Sequence, residues 1–190
     1  MKALRKLYHH SIFQGDLSRS SYFEGWYFKQ VSADLQHVYA VIPGIALGET
    51  EDERYAFIQV IDGMSGRTHF VRYHLEQFEA SDQTFEVKVG GSIFTDSYIT
   101  LNIADEQLQV RGRLDFAHIT PYPKRLLSPG IMGWYSFVPT MECKHGLVSM
   151  THRLEGRLQV NEHLLDFTGG KGYIEKEIGR ASCRERVCVG

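Results

Sequence analysis

Phe23-Glu24-Gly25-Trp26-Tyr27-Phe28-Lys29 packs four aromatic rings, one acid and one base around a central glycine. In a strand, successive side chains point to opposite faces. Alternation therefore sets Glu24, Trp26 and Phe28 on one face, and Phe23, Tyr27 and Lys29 on the other. One face carries a carboxylate beside two large rings. A solvated strand has no need of such a face, and a core strand buries an acid only with a partner. Two readings stay open. Glu24 is either held by an Arg or Lys of a neighbouring strand, with Arg72 and Arg153 as candidates, or it is an acid kept for chemistry.

Outward from this stretch, short alternating runs and turns follow one another. Gln36–Pro43 reads as the second strand, with Pro43-Gly44 as its end. Tyr55–Asp62 and Arg67–Leu75 form a hairpin around Asp62-Gly63-Met64-Ser65-Gly66. Arg67–Leu75 sets Phe70, Arg72 and His74 on one face and His69, Val71 and Tyr73 on the other. Thr84–Val89, Ser92–Phe94 and Tyr98–Ile103 continue the series. Gln107–Phe116 alternates without a break, with Leu108, Val110, Leu114 and Phe116 facing in and Gln109, Arg111, Arg113 and Asp115 facing out. Thr120–Gly130 holds three of the five prolines and reads as a crossing loop. Gly146–Val160 is a long strand, bent at Gly156. Glu162–Thr168 pairs back onto it, and Gly169–Lys176 closes the series. No helical period and no repeat interrupts the pattern. The expectation is an all-β fold, an antiparallel barrel or sandwich.

Composition narrows the function. Aromatic residues at 12% and 18 glycines fit strands joined by tight turns. The net charge of −2, with no basic stripe, gives no support to nucleic-acid binding. Of three cysteines, Cys183 and Cys188 sit in the last segment, which leaves Cys143 unable to staple a domain. No run reaches the ~18 apolar residues of a membrane span, and the start lacks a signal-peptide core. The default is a soluble cytoplasmic protein for which peripheral membrane contact stays open. Neither a cofactor nor a partner protein is implied. His9-His10 and Cys143-x-His145 lack further ligands, so no metal is expected. Gly169-Gly170-Lys171-Gly172 lacks a phosphate-loop pattern and precedes a strand, which makes it a turn or bulge.

The opening stretch resembles the N-terminal signature of the tocopherol cyclase family. Gly169-Gly170-Lys171-Gly172-Tyr173-Ile174-Glu175-Lys176 agrees with a Tyr-x-Glu-Lys element of that family, and Leu127–Trp134 is similar to its less specific middle. The likeness runs from about Phe13 to Lys176 in one order. It implies a lipocalin-like barrel, the first of two related β domains. The chain then divides into an arm over 1–21, a lipocalin-like β domain over 22–168 and the start of a truncated second part over 169–176. Residues 177–190 have no hydrophobic period and read as the translation of a sequencing adapter, a non-native tail.

The resemblance also implies a chemistry: closure of a prenylated quinol to a chromanol. An acid protonates the alkene, aromatic faces stabilise the cation, and the phenol oxygen captures it while water is excluded. Glu24 and Glu175 are the candidate acids, with His74 or His152 to take the phenolic proton. Trp26, Tyr27, Phe28, Arg72, Trp134 and Tyr173 are the candidate substrate contacts. The alternatives are a non-catalytic lipocalin-like binder of an apolar isoprenoid, or a hydratase in which water captures the same cation.

Overall fold

The computed structural model describes residues 9–123, 130–137 and 143–179. Among these, twelve strands form one antiparallel sheet. They are β1 (Tyr22–Val31), β2 (Val38–Leu47), β3 (Arg54–Asp62), β4 (Thr68–Tyr73), β5 (Phe78–Ala80) and β6 (Glu86–Val89). They continue as β7 (Ser92–Thr95), β8 (Tyr98–Ala104), β9 (Gln109–Thr120), β10 (Cys143–Val160), β11 (His163–Asp166) and β12 (Lys171–Gly179). The strand order is β4-β3-β2-β1-β12-β10-β9-β8-β7-β6-β5, with β11 paired to β10. The sheet curls until β6 packs against β2 and β3. This is the all-β barrel or sandwich that the alternation predicts. Residues 1–8, Leu127–Pro129 of the middle element and 180–190 of the tail lie outside the described residues. No helix among the described residues is long and apolar enough to cross a membrane.

β1 lies at the centre of the order, between β2 and β12. Its inward face is Glu24, Trp26, Phe28 and Gln30, all fully buried. The ring of Phe28 lies 5.4–6.4 Å from those of Phe85, Phe94 and Phe116. Removing rings of this size from water contributes about 2–3 kcal/mol each. The opposite face is not left to solvent. Phe23 stacks on Phe57 and joins Ile42, Ala46 and Tyr55 in a second apolar cluster.

Several element bounds differ from the sequence expectation for physical reasons. β2 does not stop at Pro43-Gly44. Pro43 lies opposite Ile58 on β3, while the β1–β2 ladder is interrupted between Gly25↔Gly44 and Phe28↔Val41. A missing N–H is tolerated where the pairing is broken on that side. Gly44 stays in the ladder opposite Phe57, and a Cβ there would meet the Phe57 ring at 2.5 Å. β5 was not foreseen, since three residues after the 3-10 turn Leu75–Gln77 carry too little pattern. β9 runs on to Thr120, through His118 at a left-handed φ of 54°. Lys171–Gly179, which the motif reading gives to a second part and a tail, is one strand between β1 and β10.

Gly156, where the sequence suggests a bend in β10, has a φ of 128° within an unbroken pairing to β9, and the register shifts of β10 fall earlier, between Leu147 and Arg153. A Cβ on Gly156 would lie 2.3 Å from the carbonyl oxygen of Arg113, and one on Gly112 would lie 2.4 Å from that of Arg157. Two glycines thus let β9 and β10 approach backbone to backbone. Replacing Gly156 by Ala adds a left-handed strain and a backbone clash. The expected cost is about 2–3 kcal/mol, read as a lower urea midpoint. An unchanged midpoint would refute this account of the close approach.

Candidate functional site

The burial of Glu24 is complete, and its carboxylate is met by four donors. The N–H groups of Gln14 and Gly15 donate to it at 2.9 Å each. The hydroxyl of Tyr22 and the ammonium of Lys176 complete the set. Lys176 is itself buried, and it also donates to the carbonyl oxygen of Ile12. Its Nζ stands 4.7 Å from the centroid of the Trp26 ring, a cation–π contact. The Trp26 indole N–H donates to Ser11 O at 2.8 Å. Burial, followed by the charge of Glu24, holds the Tyr22 hydroxyl far above its usual range.

Register explains the assembly. Trp26 lies opposite Lys176 on β12, and directly opposed residues share a face. The segment 11–15 lies across the inward side of this end. Ile12 and Phe13 are buried there, and Phe13 meets Phe78 edge to face at 5.6 Å. Two backbone N–H groups, two carbonyls and a buried ion pair fasten this strap to the aromatic motif. Its chemical capacity is to hold. Both oxygens of Glu24 already accept.

The other candidates are dispersed. Glu175 lies on the opposite face of the sheet, where it accepts from the Tyr173 hydroxyl at 2.6 Å beside Tyr27. Burial, followed by Glu175, raises the Tyr173 hydroxyl above its usual range. Arg72 neither meets Glu24 nor faces the interior. It donates to Asp52 O at 2.6 Å and stacks 3.8 Å over the Tyr55 ring. Arg153, the other expected partner of Glu24, pairs with Glu155 at 2.9 Å. His74 caps the 3-10 turn Leu75–Gln77 and shares an outer cleft with Arg72. Trp134 is 62% exposed and stacks on Tyr135 at 4.0 Å.

His152 is buried against the Phe116 ring, with centroids 4.2 Å apart. Its Nδ1 lies 3.0 Å from Ser149 Oγ, which donates to Thr151 O at 3.1 Å. Nδ1 is therefore the donor to Ser149, and the bare Nε2 has no hydrogen-bond partner among the described residues. Burial lowers the imidazole to about 4. Among the described residues, no group of three His, Cys, Asp or Glu side chains is placed to hold a metal.

A different feature, missed from sequence, lies at the far end of β1. A cavity of about 560 Å³ opens between the ends of β2, β3 and β4 and the β10–β11 turn. Val60, Leu108, Val160 and Leu165, all buried, form its floor. His37, Asp62, Arg67, His69 and His163 form its rim. Burial alone would push Asp62 up, but hydrogen bonds from Ser65 Oγ and the N–H groups of Met64 and Ser65 outweigh it and lower it. No run in the sequence marked this site, because its residues come from five separate segments.

No protein-family model and no curated protein matches the chain. Among solved structures, it is similar to CghA in complex with Sch210972, at 12% identity and a TM-score of 0.48. The match covers 84% of this chain and 46% of that one. It is also similar to a candidate AttH protein from Nitrosomonas europaea, at 12% identity and a TM-score of 0.45, over 82% of this chain and 50% of that one. The chain spans about half the length of these two solved chains.

Two predictions follow from the buried groups. Lys176→Met leaves the Glu24 carboxylate buried without its cation, at a cost of about 3–5 kcal/mol. Glu24→Gln with Lys176→Met recovers part of that loss in a urea double-mutant cycle. A single Lys176→Met within 1 kcal/mol of wild type would refute the pairing. His152 titrates lower when folded than when unfolded, so the unfolded chain binds more protons between about pH 4 and the ordinary value of 6.5. Folding stability therefore falls as pH drops through that window, and His152→Gln flattens the slope.

Proposed function

We propose that the curled sheet holds an amphipathic small molecule with an apolar tail at its hairpin end. The prenylated aromatic implied by the resemblance belongs to that class. The observation that carries the reading is the cavity of about 560 Å³ with a buried aliphatic floor and a polar rim. Its volume suits a drug-sized ligand. An isoprenoid tail fits the floor of Val60, Leu108, Val160 and Leu165, and the hydroxyls of an aromatic head fit His37, Asp62, Arg67 and His69.

Cyclisation of such a ligand to a chromanol is the second reading. It is favoured by Glu24 and Trp26 sharing one dry face. Two features weigh against it. The strap and Lys176 occupy both oxygens of Glu24, and the ammonium already sits on the Trp26 ring that a carbocation would use. Distance adds a third. Tyr39, at the cavity, is paired with Gln30, six residues along β1 from Glu24, which is about 20 Å. Hydration of the alkene meets the same three obstacles.

A geranylated hydroquinone separates the readings. Titration calorimetry should give saturable binding, with the ligand recovered unchanged. Val160→Trp fills the floor and should weaken binding at least tenfold while the far-ultraviolet circular dichroism stays the same. Chromanol formed by the wild type and lost in Glu24→Gln would establish the second reading instead. Absence of saturable binding would overturn the first.

A further inference from the structure

We propose that the cavity at the hairpin end selects a cationic amphiphile, a protonated amine on an apolar tail. The proposal rests on the ligand-holding reading and narrows it, from any amphipathic molecule to one whose head is positively charged. The buried aliphatic floor accepts the tail but is blind to the head. The rim decides the head. Its acids and its guanidinium are Asp62, Glu162 and Arg67, two carboxylates against one cation. The turns that meet at this end add only acid. The β1–β2 turn carries Asp34, and the β8–β9 turn, which leads to Leu108 of the floor, carries Asp105 and Glu106, all exposed.

Asp62 is the group placed to hold the cation. It lies directly opposite Tyr39 on β2, and directly opposed residues share a face of the sheet. Tyr39 also lines the cavity, and its ring packs edge to face on Phe167 with centroids 6.5 Å apart. Burial, followed by the charge of Asp62, raises the Tyr39 hydroxyl above its usual range, so the field of the carboxylate reaches this wall. Ser65 Oγ, at 2.7 Å, and the N–H groups of Met64 and Ser65, at 2.9 and 3.3 Å, fix the carboxylate in its turn. Three donors do not exhaust it, because its two oxygens offer about four acceptor sites. An ammonium at the mouth therefore meets a preorganised carboxylate and an aromatic ring together.

The other two head types fit less well. A carboxylate head would meet two like charges at the rim for one opposite charge. A hydroxyl head can hydrogen-bond to the rim, but it gains nothing from the excess of acid. The floor is common to all three, so the preference among them is a property of Asp62 and Glu162 alone.

Titration calorimetry of the full chain with decylamine, decanol and decanoate at pH 8 varies the head on a constant tail, since the three are then positive, neutral and negative. Decylamine should bind at least tenfold tighter than decanol, with decanoate weakest, and added salt should narrow the gap. Asp62→Asn keeps a turn-forming side chain. Combined with Glu162→Gln, it should bring decylamine to within twofold of decanol while decanol itself is unchanged. Glu79→Gln, on β5 at the strap end of the sheet, should leave the preference intact. Val160→Trp should weaken decylamine and decanol alike. Equal binding of decylamine and decanol overturns the inference and leaves the cavity reading standing. So does a preference that survives the double variant, or decylamine binding that Val160→Trp does not touch. If none of the three binds saturably, the cavity reading itself falls, and this inference with it.

Discussion

The rest of the architecture depends on one constraint. A carboxylate and an ammonium, both taken out of water, must find every partner inside the protein. Glu24 and Lys176 satisfy it together. Their pairing fixes β12 against β1 in a register where Trp26 faces Lys176, and a slip of one residue would turn the charged and aromatic set outward. The same pair reaches past the sheet. Ile12 and Lys176, 164 positions apart in sequence, are joined by a hydrogen bond, as are Glu24 and the backbone of Gln14 and Gly15. Buried ion pairs contribute little net stability against a hydrophobic replacement. What this one supplies is specification, because few chain paths could satisfy both charges at once.

The legible part of the fold was whatever alternation could carry. The two faces of β1 and the in–out pattern of β9 were readable because period two survives in any strand with one dry side. Fold class followed from many such runs. The partner of Glu24 was not readable. Arg72 and Arg153 were the natural candidates, yet both lie where cross-strand distance forbids contact, one over Tyr55 and the other beside Glu155. The one usable signal was parity. Lys176 shares the parity of the inward Ile174 and therefore had to point away from Glu175, into the core. Glu175 and Tyr173 were drawn into the candidate site by their motif, although the same parity sets them on the outer face.

The cavity was harder still. Its floor is assembled from β3, the approach to β9 and the β10–β11 hairpin, and each residue looks like ordinary core when read in order. The open end becomes visible only when the strand order is known. Gly156 and Gly112 show the opposite case. A glycine in a strand announces a bulge or a close approach, and both are met by the carbonyl of the facing strand.

The two ends of the sheet are unlike, and that difference bears on what the domain can do. At the Glu24 end, the strap of residues 11–15 brings its own N–H and carbonyl groups to the buried charges. At the other end, the β-turns stop short of closing and leave apolar floor beneath a polar rim. Between them stand the rings of Phe28, Phe85, Phe94 and Phe116. A molecule entering at the open end meets this packed aromatic layer before it meets any buried acid. For acid chemistry to reach it, either the layer or the strap must move. Moving the strap would expose Ile12 and Phe13 and take from Glu24 and Lys176 three of their hydrogen-bond partners. The buried pair thus acts first as a latch on the chain's own start.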